Sequence, residues 1–138
     1  MDSSGYRHDR HNRTGRVEVV RAGSEGGPTG QTEGIVRHAG VDRDATSASR
    51  VWMGRVTAAP GSSSGPHHHG EAETAAYVLA GRMRIYWGEG FTEHVDLEAG
   101  DFVFVPPHVA HVEANEGDEP AELLACRSPD NIVVNLGP

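Results

Sequence analysis

A chain of 138 residues is one domain's worth, long enough to bury about two-thirds of the surface its unfolded form exposes. Its formal charge is −8, from 12 basic residues, all arginine, against 20 acidic ones, so no positive patch invites a phosphate backbone and the lack of lysine excludes Schiff-base chemistry. No stretch approaches the ~20 apolar residues of a membrane span. Neither nucleic acid nor membrane is therefore an expected partner. The single Cys126 has no mate for an internal disulfide and the N-terminus lacks the apolar run of a signal peptide, which together point to a cytoplasmic protein.

Taken in chain order, residues 1–16 are polar and rich in Arg, His and Asp, and are expected to form a flexible N-terminal arm. Residues 17–138 are expected to form one domain. A strand is predicted over 17–22, then a loop rich in Gly, Ser, Pro and Thr over 23–34, and short strands over 35–38 and 51–57. A single helical turn is predicted within 41–50. After a second loop at 58–66, strand signals follow at 77–79, 83–87, 94–97, 102–105, 111–114, 123–127 and 132–136. These segments are short, rich in Val, Ile, Phe and Tyr, and punctuated by Gly, Pro, Asn and Asp. No window holds a helical period over three turns. The predicted class is all-β, a sandwich or barrel.

Two histidine-bearing stretches concentrate the chemistry. The first reads Gly61-Ser-Ser-Ser-Gly-Pro-His67-His68-His69-Gly-Glu71-Ala-Glu73. The second reads Gly100-Asp101-Phe-Val-Phe-Val-Pro106-Pro107-His108-Val-Ala-His111-Val-Glu113-Ala-Asn115. His67 and His69 are two residues apart, so on a strand their imidazoles leave the same face. Glu73 offers a carboxylate nearby, and His111 supplies a third nitrogen from a distant strand. Such a mixed set suits a divalent metal.

The two stretches resemble the paired motifs of the cupin superfamily, and in particular small single-domain bacterial cupins of the metal-binding His-x-His type. Gly61, His67, His69, Glu73 and Gly81 follow the first motif, except that seven residues rather than six separate Glu73 from Gly81. Gly100, Pro106, His111 and Asn115 follow the second in register, with His108 where the family has Gly. The resemblance covers about residues 50–127. It implies a double-sheet jelly-roll barrel holding one divalent metal ion per chain, of Mn, Fe, Ni, Cu or Zn, on His67, His69, Glu73 and His111. Counting back from Gly81, however, the carboxylate slot falls on Thr74. A one-residue slip reverses a side chain's face unless a bulge absorbs it. Either a bulge brings Glu73 to the metal, or the site is three histidines with Thr74 alongside.

Other residues divide between functional and structural readings. His108, in the proline turn before His111, is a candidate general acid or base at the barrel mouth, or simply an exposed turn residue. Tyr77 is a candidate polar handle in the cavity. His68 should point away from its neighbours, and His8, His11, His38 and His94 have no motif around them. Met83, Ile85 and Trp87 share one parity and Phe102 and Phe104 another, so either set can fill the core or wall the cavity. Arg82 and Arg84 alternate with Met83 and Ile85 and should face water.

The resemblance implies a metal-dependent enzyme acting on a small oxygen-bearing organic molecule, as a dioxygenase, an isomerase or decarboxylase, or a polyketide cyclase. The alternative is a non-catalytic module that senses or stores a small ligand or metal. Open sheet edges further predict a homodimer.

Overall fold

The computed structural model describes residues 15–137. All but the last two positions of the expected arm lie outside them, as do His8 and His11. Among the described residues eleven strands dominate: β1 (Thr29–Thr32), β2 (Ile35–Val41), β3 (Trp52–Ala58), β4 (His67–His68), β5 (Glu73–Ala80), β6 (Arg82–Trp87), β7 (Glu93–Glu98), β8 (Phe102–Val105), β9 (His111–Ala114), β10 (Ala121–Ser128) and β11 (Val134–Asn135). They form two antiparallel sheets, ordered β1-β2-β3-β10-β5-β8 and β11-β4-β9-β6-β7. Each described strand pairs only within its own sheet, so the all-β jelly-roll expectation holds as a sandwich of two sheets.

Alternation builds the space between the sheets. Trp52, Gly54, Val56 and Ala58 of β3 face inward, as do Ala121, Leu123, Ala125 and Arg127 of β10. Thr74, Ala76 and Val78 of β5 join them, and Met83 and Ile85 of β6 close the core from the other sheet. Gly81 links β5 to β6 at φ +76°, where a Cβ would stand 2.4 Å from the carbonyl oxygen of Pro120. Only glycine satisfies both the backbone conformation and the close approach.

Several expectations need correcting. Residues 17–22 form no strand, since Val17 and Val19 are exposed with no sheet partner among the described residues. Conversely, β1 forms inside the predicted Gly-rich loop, because Thr29 and Thr32 pair with β2 across a tight turn at Gly34. The turn in 41–50 is a single one: Thr46 N donates to the Asp42 carbonyl at 3.1 Å, while Asp42 Oδ1 accepts from Asp44 N and Ala45 N. Phe102 and Phe104 share a parity as expected, yet they are 80% and 56% exposed. β8 is an edge strand, and its inward positions are Val103 and Val105 instead.

Candidate metal centre

His67 and His111 are direct partners across β4 and β9, which places their side chains on one face of the smaller sheet. His69 follows two residues after His67 and completes the group. The three are 0–2% exposed, and their ligand nitrogens all lie within 4.8 Å of one another. Ring centroids are 4.4 Å apart for His67 and His111, 5.1 Å for His67 and His69, and 5.2 Å for His69 and His111.

Backbone carbonyls fix the tautomers. His67 Nδ1 donates to Gly65 O at 3.0 Å, His69 Nδ1 to Ile132 O at 2.7 Å, and His111 Nδ1 to Val109 O at 2.9 Å. Each Nδ1 therefore carries its proton, and each Nε2 presents a lone pair toward the common centre. Burial lowers the pKa of His67 to about 4 and, reinforced by the Arg127 guanidinium, that of His69 to about 3. Both rings are thus neutral near pH 7, the form that binds metal. The Nε2 atoms of His67 and His111 are buried without a hydrogen-bond partner. Convergent, unsatisfied lone pairs repel each other unless a cation lies between them, so this donor set fits a divalent metal.

Glu73 does not belong to the group. β5 buries its even positions, so Thr74 faces the interior and Glu73 faces solvent. A bulge does exist: Ala80 opposes Glu122 while Val78 opposes Leu123, leaving Leu79 extra. It lies between Thr74 and Gly81, so it absorbs the additional residue of the motif without turning Glu73 inward. At the slot, Thr74 Oγ1 accepts a 3.0 Å hydrogen bond from Arg127 Nε, its cross-strand partner. Arg127 also donates from Nη1 to Asn131 Oδ1 at 2.8 Å and from Nη2 to His69 Nε2 at 3.2 Å. Its guanidinium sits over the Trp52 ring, 5.4 Å from the centroid.

The carboxylate of the site is Glu113, whose Oε1 lies 3.7 Å from His111 Nε2. Burial works against its ionised form, but His111, His67 and Arg37 together outweigh that cost and hold the carboxyl below its ordinary range. Sequence reasoning passed over Glu113, although His111-x-Glu113 has the same two-residue spacing as His67-x-His69. Arg37 and Arg127 were missed as well. Their signal was an arginine at an inward position of an otherwise apolar strand, Ile35-x-Arg37 and Leu123-x-Ala125-x-Arg127.

The two candidate catalytic groups lie elsewhere. His108 is exposed, adopts φ +62°, and donates its backbone N–H to Gly70 O at 2.8 Å. It faces His68, whose Nδ1 accepts from Gly70 N and which points away from the triad as expected. Tyr77 occupies an odd position of β5 and packs on Phe102, ring centroids 4.7 Å apart, on the outer face. Arg82 and Arg84 lie outward as expected, with Arg84 paired to Asp96 at 2.7 Å.

An apolar hollow of about 280 Å³, walled by Ile85, Trp87, Val103, Val105 and Val109, reaches His111. Ile85, Val103 and Val105 also wall a narrow pocket of about 20 Å³, mostly apolar in its lining, whose polar groups come from Arg37, Thr74, Glu113 and Arg127. The site is thus an apolar approach, a histidine triad and a charged floor.

Two facing antiparallel sheets with a buried histidine triad between them define a small β-sandwich of jelly-roll type that carries a candidate metal site. The Cupin domain family matches residues 54–126, more than half of the chain, and the chain belongs to the cupins. Among curated relatives, the germin-like protein 5-1 of Oryza sativa is 32% identical over 125 residues, covering 86% of this chain and 53% of its own length. The glucose-6-phosphate isomerase of Thermococcus onnurineus is 38% identical over 68 residues, covering 46% of this chain and 36% of its own. The chain thus spans about half or less of the curated relatives it matches. Oxalate decarboxylase from Bacillus subtilis, solved at pH 4.6, superposes with a TM-score of 0.65 at 22% identity, over 87% of this chain and 30% of that one. Another structure of that enzyme, with a TM-score of 0.64 at 24% identity over 75% of this chain and 28% of that one, is described by its Mn(II) centres.

Proposed function

We propose that this cupin is a metal-dependent enzyme acting on a small oxygen-bearing organic molecule, with isomerase or decarboxylase chemistry ahead of dioxygenase or cyclase chemistry. The observation that carries the reading is the triad: three imidazoles, each oriented by a backbone carbonyl at Nδ1, bring their Nε2 atoms together at one buried point, and those of His67 and His111 have no hydrogen-bond partner among the described residues. The relatives that bear an isomerase or decarboxylase name order the reaction types.

His67, His69 and His111 would hold the ion. A divalent cation there supplies Lewis acidity toward a substrate oxygen. The chain's own residues do the rest. Ile85, Val103 and Val105 give the approach apolar walls, which lowers the local dielectric and strengthens charge interactions beneath them. Glu113, held ionised, counters positive charge beside His111 and is a poor proton carrier near neutral pH.

That last point favours one competing reading, a non-catalytic cupin that binds a small ligand. His108 and Tyr77 lie outside the cavity, and the one carboxylate lining it among the described residues has its pKa held below the ordinary range. Elemental analysis of untagged protein, followed by turnover assays on small chelating acids, ketones and diols, tests the two readings. Metal near one per chain with turnover supports the enzyme. Metal and ligand binding without turnover supports the module, and loss of metal in His67→Ala and His111→Ala is expected under both. We further propose a homodimer, supported by the exposed aromatic edge of β8.

A further inference from the structure

Among the described residues, the charged floor of the cavity offers one carboxylate for two cations. Arg37 lies on β2, 1% exposed, and its Nε, Nη1 and Nη2 have no hydrogen-bond partner among the described residues. A guanidinium carries its charge at any ordinary pH, and burying one unpaired is costly. Arg127, 3% exposed, lines the same narrow pocket, and the two guanidinium groups repel each other. Among the described residues, Glu113 is the single anion lining that pocket. The pocket therefore holds one net positive charge when empty, and three with a divalent ion on the triad.

Arg127 also connects this charge to the triad. His69 Nδ1 is committed to Ile132 O, so Nε2 offers one lone pair, and Arg127 Nη2 already donates to it at 3.2 Å. That lone pair serves either the guanidinium or a metal. A metal on His69 therefore releases Arg127 Nη2 and leaves a cation beside a cation, unless an anion arrives to take the freed N–H groups.

We propose that Arg37 and Arg127 form an anion subsite for the carboxylate of a small carboxylic acid with an apolar body, and that this carboxylate and the metal on the triad bind cooperatively. The narrow pocket, about 20 Å³ and mostly apolar apart from its charged groups, admits a flat, two-oxygen head more readily than a bulkier tetrahedral phosphate. The adjoining hollow, which shares Ile85, Val103 and Val105 with that pocket, suits an apolar body. This inference rests on the metal reading above for its cooperativity but not for the subsite itself. Linkage is reciprocal: whatever factor the carboxylate adds to metal affinity, the metal adds to carboxylate affinity.

The test is calorimetric titration of the full chain with Co(II), in buffer free of other coordinating anions, with and without butyrate or inorganic phosphate. Butyrate is expected to tighten Co(II) binding about tenfold, with the same factor returned on butyrate binding. Equal Co(II) affinity with and without butyrate overturns the coupling, and an effect of phosphate alone overturns the carboxylate assignment. Arg127→Met is expected to tighten Co(II) in the absence of anion and to lose the butyrate effect. A thermal-melt series without metal serves as the second measurement. Butyrate is expected to raise the Tm of the native chain by about 3 °C and leave Arg37→Met unmoved, while that variant melts higher than the native chain in anion-free buffer. A variant that melts lower there, or still responds to butyrate, overturns the subsite. Failure to bind Co(II) while butyrate still stabilises refutes the metal reading and the coupling but upholds the subsite.

Discussion

Acid should unfold the metal-free protein earlier than its carboxylates require, because His67 and His69 are buried neutral. His67 titrates near 4 and His69 near 3 in the folded state, against 6.5 in a flexible chain. A group with a depressed folded pKa that is basic, as here, binds its proton more readily in the unfolded chain. Stability is therefore fully present above pH 6.5 and drains as pH falls toward the folded values. Between pH 6.5 and 5.0 the carboxylates are still ionised in both states, so the histidines act alone. At ~1.4 kcal/mol per pH unit once protonation of the unfolded form is under way, each ring gives up about 1.6 kcal/mol over that span, and the pair about 3 kcal/mol. For a domain whose whole stability is on the order of 10 kcal/mol, this is a large share. Urea unfolding with a chelator present is the assay. The midpoint is expected to fall by about 2 M between pH 6.5 and 5.0. His67→Asn, which cannot take up a proton, should show about half of that drop. A midpoint that does not move across the window, or moves equally in the variant, would refute the reasoning.

Further outcomes follow from individual contacts. Glu73→Gln should leave Co(II) affinity unchanged, because the side chain points to solvent. Thr74→Val should cost about 1–3 kcal/mol in urea unfolding, because Arg127 Nε loses its buried acceptor. Asn115 is buried, donates to Ala58 O at 3.0 Å and Glu119 O at 2.8 Å, and accepts from Gly117 N. Asn115→Ala should thus cost about 3 kcal/mol without altering metal stoichiometry, as unfolding and elemental analysis together would show. Replacing both Phe102 and Phe104 by Ser should convert the proposed dimer to a monomer in light scattering, with the metal retained.

The strands of the second half were legible because each is a short apolar run closed by Gly, Pro or Asn. β8 and β9 fall on 102–105 and 111–114 as expected. The triad was legible too, since His67 and His69 share parity and the second motif supplies His111. Three features were not. β1 is made of Thr, Gly and Gln, whose strand character comes from pairing with β2 rather than from side-chain preference. The face of β5 was ambiguous because Ala75, Tyr77 and Leu79 are as apolar as Ala76, Val78 and Ala80; the partner strand decides, through Thr74 opposite Arg127. Phe102 and Phe104 read as inward aromatics because nothing local reveals that β8 lies at a sheet edge.

The choice of face at the start of β5 also sets the electrostatics of the site. The family pattern implies a carboxylate at the slot, a full negative charge beside the metal. Here the slot holds neutral Thr74, and the charge next to it is the guanidinium of Arg127, within 3.2 Å of His69 Nε2. Two unit charges about 4 Å apart interact by about 4 kcal/mol at an effective dielectric of ~20. Losing an attraction on that scale costs metal affinity about three decades, and adding a repulsion costs more. Glu113 returns part of it, but Arg37 also stands against Glu113, and its guanidinium has no hydrogen-bond partner among the described residues. The isolated chain should therefore hold its metal weakly and lose it on dialysis against chelator-free, anion-poor buffer. The same chain dialysed with a small carboxylate should keep it. Ligand charge that the family builds into the protein is, in this cupin, left for the bound molecule to supply.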